Sequence, residues 1–181
     1  MSSPSSEVAV FGGGCFWCVE AIFESLKGVI SVEPGYAGGD KEDPGYEEVH
    51  TGETGHAEVV RVEFDPAVIS YRDLLTVFFF SHDSTTKDRQ GADVGSEYRS
   101  LVIYTSALQK EEADRFIAEL KAVGTNSVTE VQAYKGFFMA EEEHKNFYQK
   151  NKSSPYCMIN VVPKIKKLQD RFAALMKEAA H

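Results

Sequence analysis

The residue pattern predicts an α+β fold, a two-layer sandwich with helices over one face of a sheet. Apolar runs of strand length alternate with stretches of helical period across residues 7–105, in the order strand, helix, strand, strand, helix, strand. Glycine and proline punctuate the boundaries between them. A chain of 181 residues, 43 % of them hydrophobic, suits one domain with a sizeable core. Two βαβ-like halves in this order correspond to a ferredoxin-like βαββαβ core, which the later elements extend towards the C-terminus.

Each element has a local reason. Residues 1–6 are polar and read as a disordered lead, ahead of a single catalytic domain over 7–181. Val8-Ala9-Val10-Phe11 makes a strand over 7–11. Gly12-Gly13-Gly14 then turns the chain into a helix over 15–27, with Val19, Ile22, Phe23 and Leu26 on one stripe and Gly28 in the closing role. A short strand follows at 29–32. Residues 34–55 are rich in Gly, Asp, Glu and Tyr without any period, so a long loop is expected, and such loops are often functional. Residues 56–64 alternate, with Val60, Val62 and Phe64 on one face.

Ser70 and Asp73 mark the start of a helix whose stripe is Tyr71, Leu74, Leu75 and Phe78. A second polar loop covers 82–97 and leads to a strand at 101–104. Ser106 and Gln109 form a capping box for a helix that Gly124 closes near residue 123. A short strand is expected at 129–133. Glu141, Glu142 and Glu143 read as the solvated first turn of a short helix near 140–149. Residues 150–162 read as a polar tail segment without regular structure, carrying Cys157, and an amphipathic helix is expected from 163 to 179.

Composition removes several functions. The net charge of −9 leaves no surplus of Lys and Arg to neutralise phosphates, so nucleic acid is not an expected partner. No apolar run approaches the ~20 residues needed to span a bilayer. Residues 1–6 lack the parts of a signal peptide, so a cytoplasmic location is expected, with a monomer as the default state. Three cysteines are too few for a disulfide scaffold, and cytosolic paired thiols are more often catalytic or metal-binding.

Cys15-Phe16-Trp17-Cys18 is a C-x-x-C at a helix start. The free N–H groups and dipole there favour an anion, so a lowered thiol pKa and a nucleophilic Cys15 are expected. Half of a zinc site and a pair of inert buried cysteines are the alternative readings. The three glycines speak against the latter, because they let a ligand approach the backbone closely. Phe16 and Trp17 read as core aromatics or as the walls of a small apolar pocket. If the strand keeps its period, Glu58 shares the face of Val60, Val62 and Phe64. Desolvation there would raise its pKa and suit it to donate a proton, whereas a strand-end bulge would turn it to solvent. Tyr36, Tyr46 and Tyr98 lie in or beside the glycine-rich loops, as possible donors to a ligand or as ordinary packing. Asp93 is a turn residue or an anchor behind the site.

Five separate segments together resemble one family closely. They are Gly13-Gly14-Cys15-Phe16-Trp17, Gly35-Tyr36-Ala37-Gly38-Gly39, Pro44-Gly45-Tyr46-Glu47-Glu48-Val49, Thr54-Gly55-His56-Ala57-Glu58, and the run from Asp88 to Ser100 that includes Gly91-Ala92-Asp93-Val94-Gly95. His82-Asp83 and Tyr156-Cys157 also fit. The family is peptide methionine sulfoxide reductase of the type acting on the S-epimer. The resemblance implies a ferredoxin-like α+β core and a Cys15 nucleophile. Phe16 and Trp17 would cage the S-methyl group, Glu58 would act as the acid, Tyr46 and Tyr98 would hold the sulfoxide oxygen, and Asp93 would support the site. It implies a Cys15 sulfenic acid, then an intramolecular disulfide that thioredoxin reduces, with no metal or organic cofactor. Substrates would be oxidised methionine-containing proteins and free methionine sulfoxide. Many members have Gly at the position of Cys18 and two cysteines in the tail, so the resolving thiol is open between Cys18 and Cys157. The preference falls on Cys157, because an irregular tail can move. A general thioredoxin-like thiol-disulfide oxidoreductase, a zinc-binding module and an R-epimer reductase are the rival functions.

Overall fold

A computed structural model of the chain describes residues 5–178. Residues 1–4 of the expected lead and Ala179 at the end of the expected last helix lie outside the described residues. The fold mixes α and β. In chain order it runs β1 (Glu7–Gly12), α1 (Phe16–Glu24), β2 (Val29–Ala37), α2 (Tyr46–Val49), β3 (Ala57–Phe64), α3 (Tyr71–Ser81), β4 (Arg89–Gln90) and β5 (Asp93–Val94). It continues with β6 (Leu101–Tyr104), α4 (Ala107–Ala122), β7 (Glu130–Ala133), β8 (Phe138–Met139), α5 (Phe147–Lys150), α6 (Pro155–Asn160) and α7 (Val162–Phe172).

The main sheet has the order β7-β6-β1-β3-β2-β8. Only β6 and β7 run parallel; every other neighbouring pair is antiparallel. One face of the sheet carries Ala9, Phe11, Val60, Val62, Phe64 and Val102, and packs on α1, α3, α4 and α7 through residues such as Ile22, Phe23, Leu74, Phe78, Ala113 and Leu168. Phe11 stacks on Phe23 and Phe78 at centroid distances of 5.0 and 4.9 Å. The opposite face buries a smaller set, Val10, Ala37, Ala57, Val59, Leu101 and Ile103, with Phe137 packed against it.

Three expectations are corrected. β2 does not stop at 32 but continues through Pro34 to Ala37, inside the expected loop. Pro34 has no N–H to donate, but its carbonyl still accepts the Ala140 N–H at 2.9 Å, and Gly35 is required because a Cβ there would meet Phe137 and the Phe138 carbonyl at 2.4 Å. The tail is not irregular: Ser154 caps α6 by accepting the Cys157 N–H, and Pro155 sits at its first turn. The Ser106 cap is real, but the Gln109 side chain accepts from the Thr105 N–H instead of closing a box. Ser70 and Asp73 form the expected reciprocal cap of α3. Among the described residues no helix is long and apolar enough to cross a membrane.

Candidate active site

β1 delivers the chain to Cys15, and Gly14 makes the turn at φ +96°, a conformation that favours glycine. Cys15 is the N-cap of α1; its carbonyl accepts the N–H groups of Cys18 and Val19 at 3.2 and 3.4 Å. The thiol is half-buried. Its acidity contradicts the expectation from the helix start. The neighbouring Cys18 thiol, then burial, then the charge of Glu58 push the Cys15 pKa well above the ordinary thiol value. Contact with Cys15 pulls the buried Cys18 down to about 7. The Tyr156 hydroxyl lies 3.6 Å from the Cys18 sulfur, and the Lys164 ammonium adds positive charge.

Glu58 lies on β3 opposite Tyr36 of β2, and it is 2 % exposed. Its period-2 neighbours Val60 and Val62 are in the larger core, so the strand carries the carboxylate inward as expected. Oε1 accepts the Phe16 N–H at 3.1 Å, the residue after Cys15. Oε2 lies 2.8 Å from His50 Nε2, off the ring's hydrogen-bonding direction. Tyr46 opens α2, and Tyr98 ends the 3-10 helix Ser96–Tyr98. Burial first, and then the charge of Glu58, raises the pKa of both phenols, so both remain hydroxyl donors at neutral pH.

Phe16 is fully buried beside Tyr36 and His144, at ring distances of 5.7 and 5.3 Å. Trp17 is half-buried and lies flat on Phe147 at 3.7 Å, with the edge of Tyr156 at 5.3 Å. Its Nε1–H donates to His144 Nδ1 at 3.2 Å. Tyr46 packs at a tilt against His50 at 3.9 Å and stacks on His144 at 4.6 Å. Glu141 ties the loops together: Oε2 accepts the Tyr36 hydroxyl at 2.8 Å, and Oε1 accepts the Tyr46 N–H at 2.9 Å. Glu141 thus stands at the exposed start of the 3-10 helix Glu142–His144, as its acidic run suggested, and also bridges two tyrosine loops. Glu20, 1 % exposed on α1, accepts the N–H groups of Asn146 and Phe147 at 3.2 and 3.3 Å and so fixes the start of α5.

Cys15, Cys18 and Asp93 line one cavity of about 350 Å³ together with Gln90, Tyr156 and Lys164. Asp93 occupies β5 of a two-stranded hairpin, in place of the expected loop. Cys157 is fully buried in α6 and packs in a cluster with Cys18, Ala21 and Val161. The structure thus places it in a helix, so a mobile irregular tail is no argument for it as the resolving thiol. Sequence reading missed His50, His144, Phe147, Tyr156 and Glu20. The tyrosine beside Cys157 was visible as part of a motif, but nothing periodic marks the others.

The family model described as peptide methionine sulfoxide reductase matches residues 7–176. The chain belongs to the peptide methionine sulfoxide reductase family. It is 53 % identical over 167 residues to the peptide methionine sulfoxide reductase MsrA of Sulfolobus acidocaldarius, covering 92 % of this chain and 95 % of that one. The fold is similar to Mxr1 of Saccharomyces cerevisiae in its reduced form, with a TM-score of 0.77 and 29 % identity over 84 % of this chain and 90 % of that one. It is also similar to Mxr1 in a complex with Trx2, with a TM-score of 0.56 and 25 % identity over 79 % and 86 % of the two chains.

Proposed function

We propose that this chain reduces the S-epimer of methionine sulfoxide, in proteins and as the free amino acid, with thioredoxin as the external reductant. Membership of the family and the Mxr1–Trx2 complex support that reading, and neither favours a general thioredoxin-like oxidoreductase. Residues 7–181 act as one catalytic domain, monomeric and cytoplasmic. The strand order β6-β1-β3-β2 supports describing its core as ferredoxin-like.

The observation that carries the chemistry is the buried Glu58 carboxylate, bonded to the N–H of the residue after Cys15. Oxide is too poor a leaving group for thiolate attack alone, so an acid must meet the oxygen. Cys15, its proton passing to the neighbouring Cys18 thiolate, takes the sulfoxide oxygen as Glu58 supplies one proton, giving Cys15 sulfenic acid, a Cys18 thiol, a Glu58 carboxylate and the methionine thioether. The Cys15 sulfur is oxidised by two electrons and the substrate sulfur reduced by two. Tyr46 and Tyr98 hold the oxygen, Phe16 and Trp17 enclose the S-methyl group, and Asp93 supports the site. Cys18 then attacks the sulfenic acid, expelling water and forming a disulfide, and Cys157 exchanges into it. The contact of the Cys15 and Cys18 thiols and the packing of Cys18 with Cys157 support this relay. No metal or organic cofactor enters the scheme.

Turnover of peptides carrying the separate sulfoxide epimers, with thioredoxin as reductant, tests the assignment. Consumption of the S-epimer alone is expected. Consumption of only the R-epimer would overturn it. Cys15→Ser is expected to abolish turnover. Mass mapping after one turnover without reductant is expected to find Cys15–Cys18 or Cys18–Cys157 bridges, and a Cys15–Cys157 bridge alone would refute the relay.

A further inference from the structure

His50 is a polar group beside Glu58 to which the scheme above gives no role. It follows α2 directly as its C-cap, packs at a tilt against Tyr46 at 3.9 Å, and lies edge-on to Tyr98 at 5.8 Å. Its side chain is 21 % exposed, while that of Glu58 is 1 % exposed. His50 Nδ1 lies 2.6 Å from the Tyr46 carbonyl. A carbonyl only accepts, so Nδ1 carries a hydrogen. In the neutral ring Nε2 is then an acceptor, and Nε2 lies 2.8 Å from Glu58 Oε2. Two acceptors at that distance repel, so the pair is relieved by a proton on one of its two groups. The other carboxylate oxygen is already committed to the Phe16 N–H.

We propose that the acid of the reaction is the His50–Glu58 pair, one proton shared by the two groups, with His50 keeping Glu58 supplied. This rests on Glu58 as the acid. The proton moves from the pair to the sulfoxide oxygen, leaving neutral His50 beside a Glu58 carboxylate, and solvent restores it after the product leaves. His50 touches Glu58 and not the substrate, so it is a positioning residue. Contact with the Glu58 carboxylate raises its pKa, and the Tyr46 carbonyl and the charge of Glu97 act in the same direction against its burial. The groups facing it are Glu58 from β3, Tyr46 from its own helix, and Glu97 and Tyr98 from the 3-10 helix. The imperfect alignment of Nε2 is what catalytic contacts commonly show before substrate binds.

His50→Asn tests the pair, because the Asn amide keeps a donor for the Tyr46 carbonyl and removes the Nε2 site. His50→Gln serves as a second variant, with melting temperatures confirming that both fold. The readout is the variant-to-wild-type ratio of kcat/KM between pH 5 and pH 8.5, in which the titration of Cys15 cancels. At pH 8 the ratio is expected to fall about tenfold or more, and to return within about twofold of unity at pH 5, where solvent supplies the proton without His50. A ratio constant with pH, or equal to one throughout, would overturn the proposal. Glu58→Gln separates the two readings. If that variant stays active, the acid assignment itself fails. If it is inactive at every pH while the His50 variants follow the wild type, the pairing alone fails.

Discussion

Two buried carboxylates flank α1, and they do opposite work with the same chemistry. Glu58 reaches in from β3 and accepts one N–H at the start of that helix, with an imidazole on its second oxygen. Glu20 reaches out from α1 and accepts two N–H groups at the start of α5. Glu58 keeps an oxygen facing a titratable partner beside the nucleophile. Glu20 has both oxygens turned to backbone and is a clamp. Burial alone therefore does not identify a catalytic acid; what the second oxygen faces does.

The comparison breaks most sharply if Glu58→Gln retains its rate. A loss of about 10²-fold or more in kcat/KM is expected, with the melting temperature nearly unchanged, measured by steady-state turnover and calorimetry. Glu20→Ala should do the reverse. Two part-buried N–H groups lose their acceptor, which costs on the order of 2 kcal/mol and lowers the melting temperature by roughly 4–8 °C. The rate should fall far less than in Glu58→Gln.

A smaller effect separates the two by pH. Burial raises Glu20 from its ordinary carboxylate value to about 7, with Glu24 opposing ionisation and Lys150 favouring it. The folded state therefore holds this proton more tightly than the unfolded chain. The resulting stability is complete below about pH 4.5 and is lost as pH rises through 7, a swing on the order of 1–3 kcal/mol. Urea unfolding of wild type against Glu20→Gln should show that swing in the wild type only.

His82 provides the opposite sign. Burial pulls it down to about 4 while the Phe78 carbonyl holds its Nδ1–H. Its stability is present above about pH 6.5 and is lost as pH falls towards 4, so His82→Gln should flatten the acid side of the same curve.

The difference between the carboxylates also marks what a sequence discloses. Glu58 was legible because a strand has a period of two, and its neighbours Val60 and Val62 are apolar. The turn before Cys15 was legible from its glycines. Glu20 was not, since its partners are backbone groups of Asn146 and Phe147, more than 120 residues away. His50 and His144 gave no periodic signal either, and their meaning comes from neighbours in space, Glu58 for His50 and the Tyr46 ring against both. Residues 34–37 were misread because Pro34 and Gly35 are loop formers by propensity, and the strand there depends on β8 arriving from the far end of the chain. The helix around Cys157 was announced by Ser154-Pro155, a cap and first-turn pair that polarity masked. The acidity of the thiols was misjudged for a simpler reason. The helix start is one influence on Cys15, and an adjacent thiol, burial and a nearby carboxylate outweigh it.

The chain has one tryptophan, and it is the one lying flat on Phe147 with its ring N–H on His144. Its fluorescence is therefore that of the active site alone. Substrate entry, disulfide formation at the neighbouring Cys18 and movement of α5 all pass through a single indole, so emission can be followed through one turnover without attaching any label.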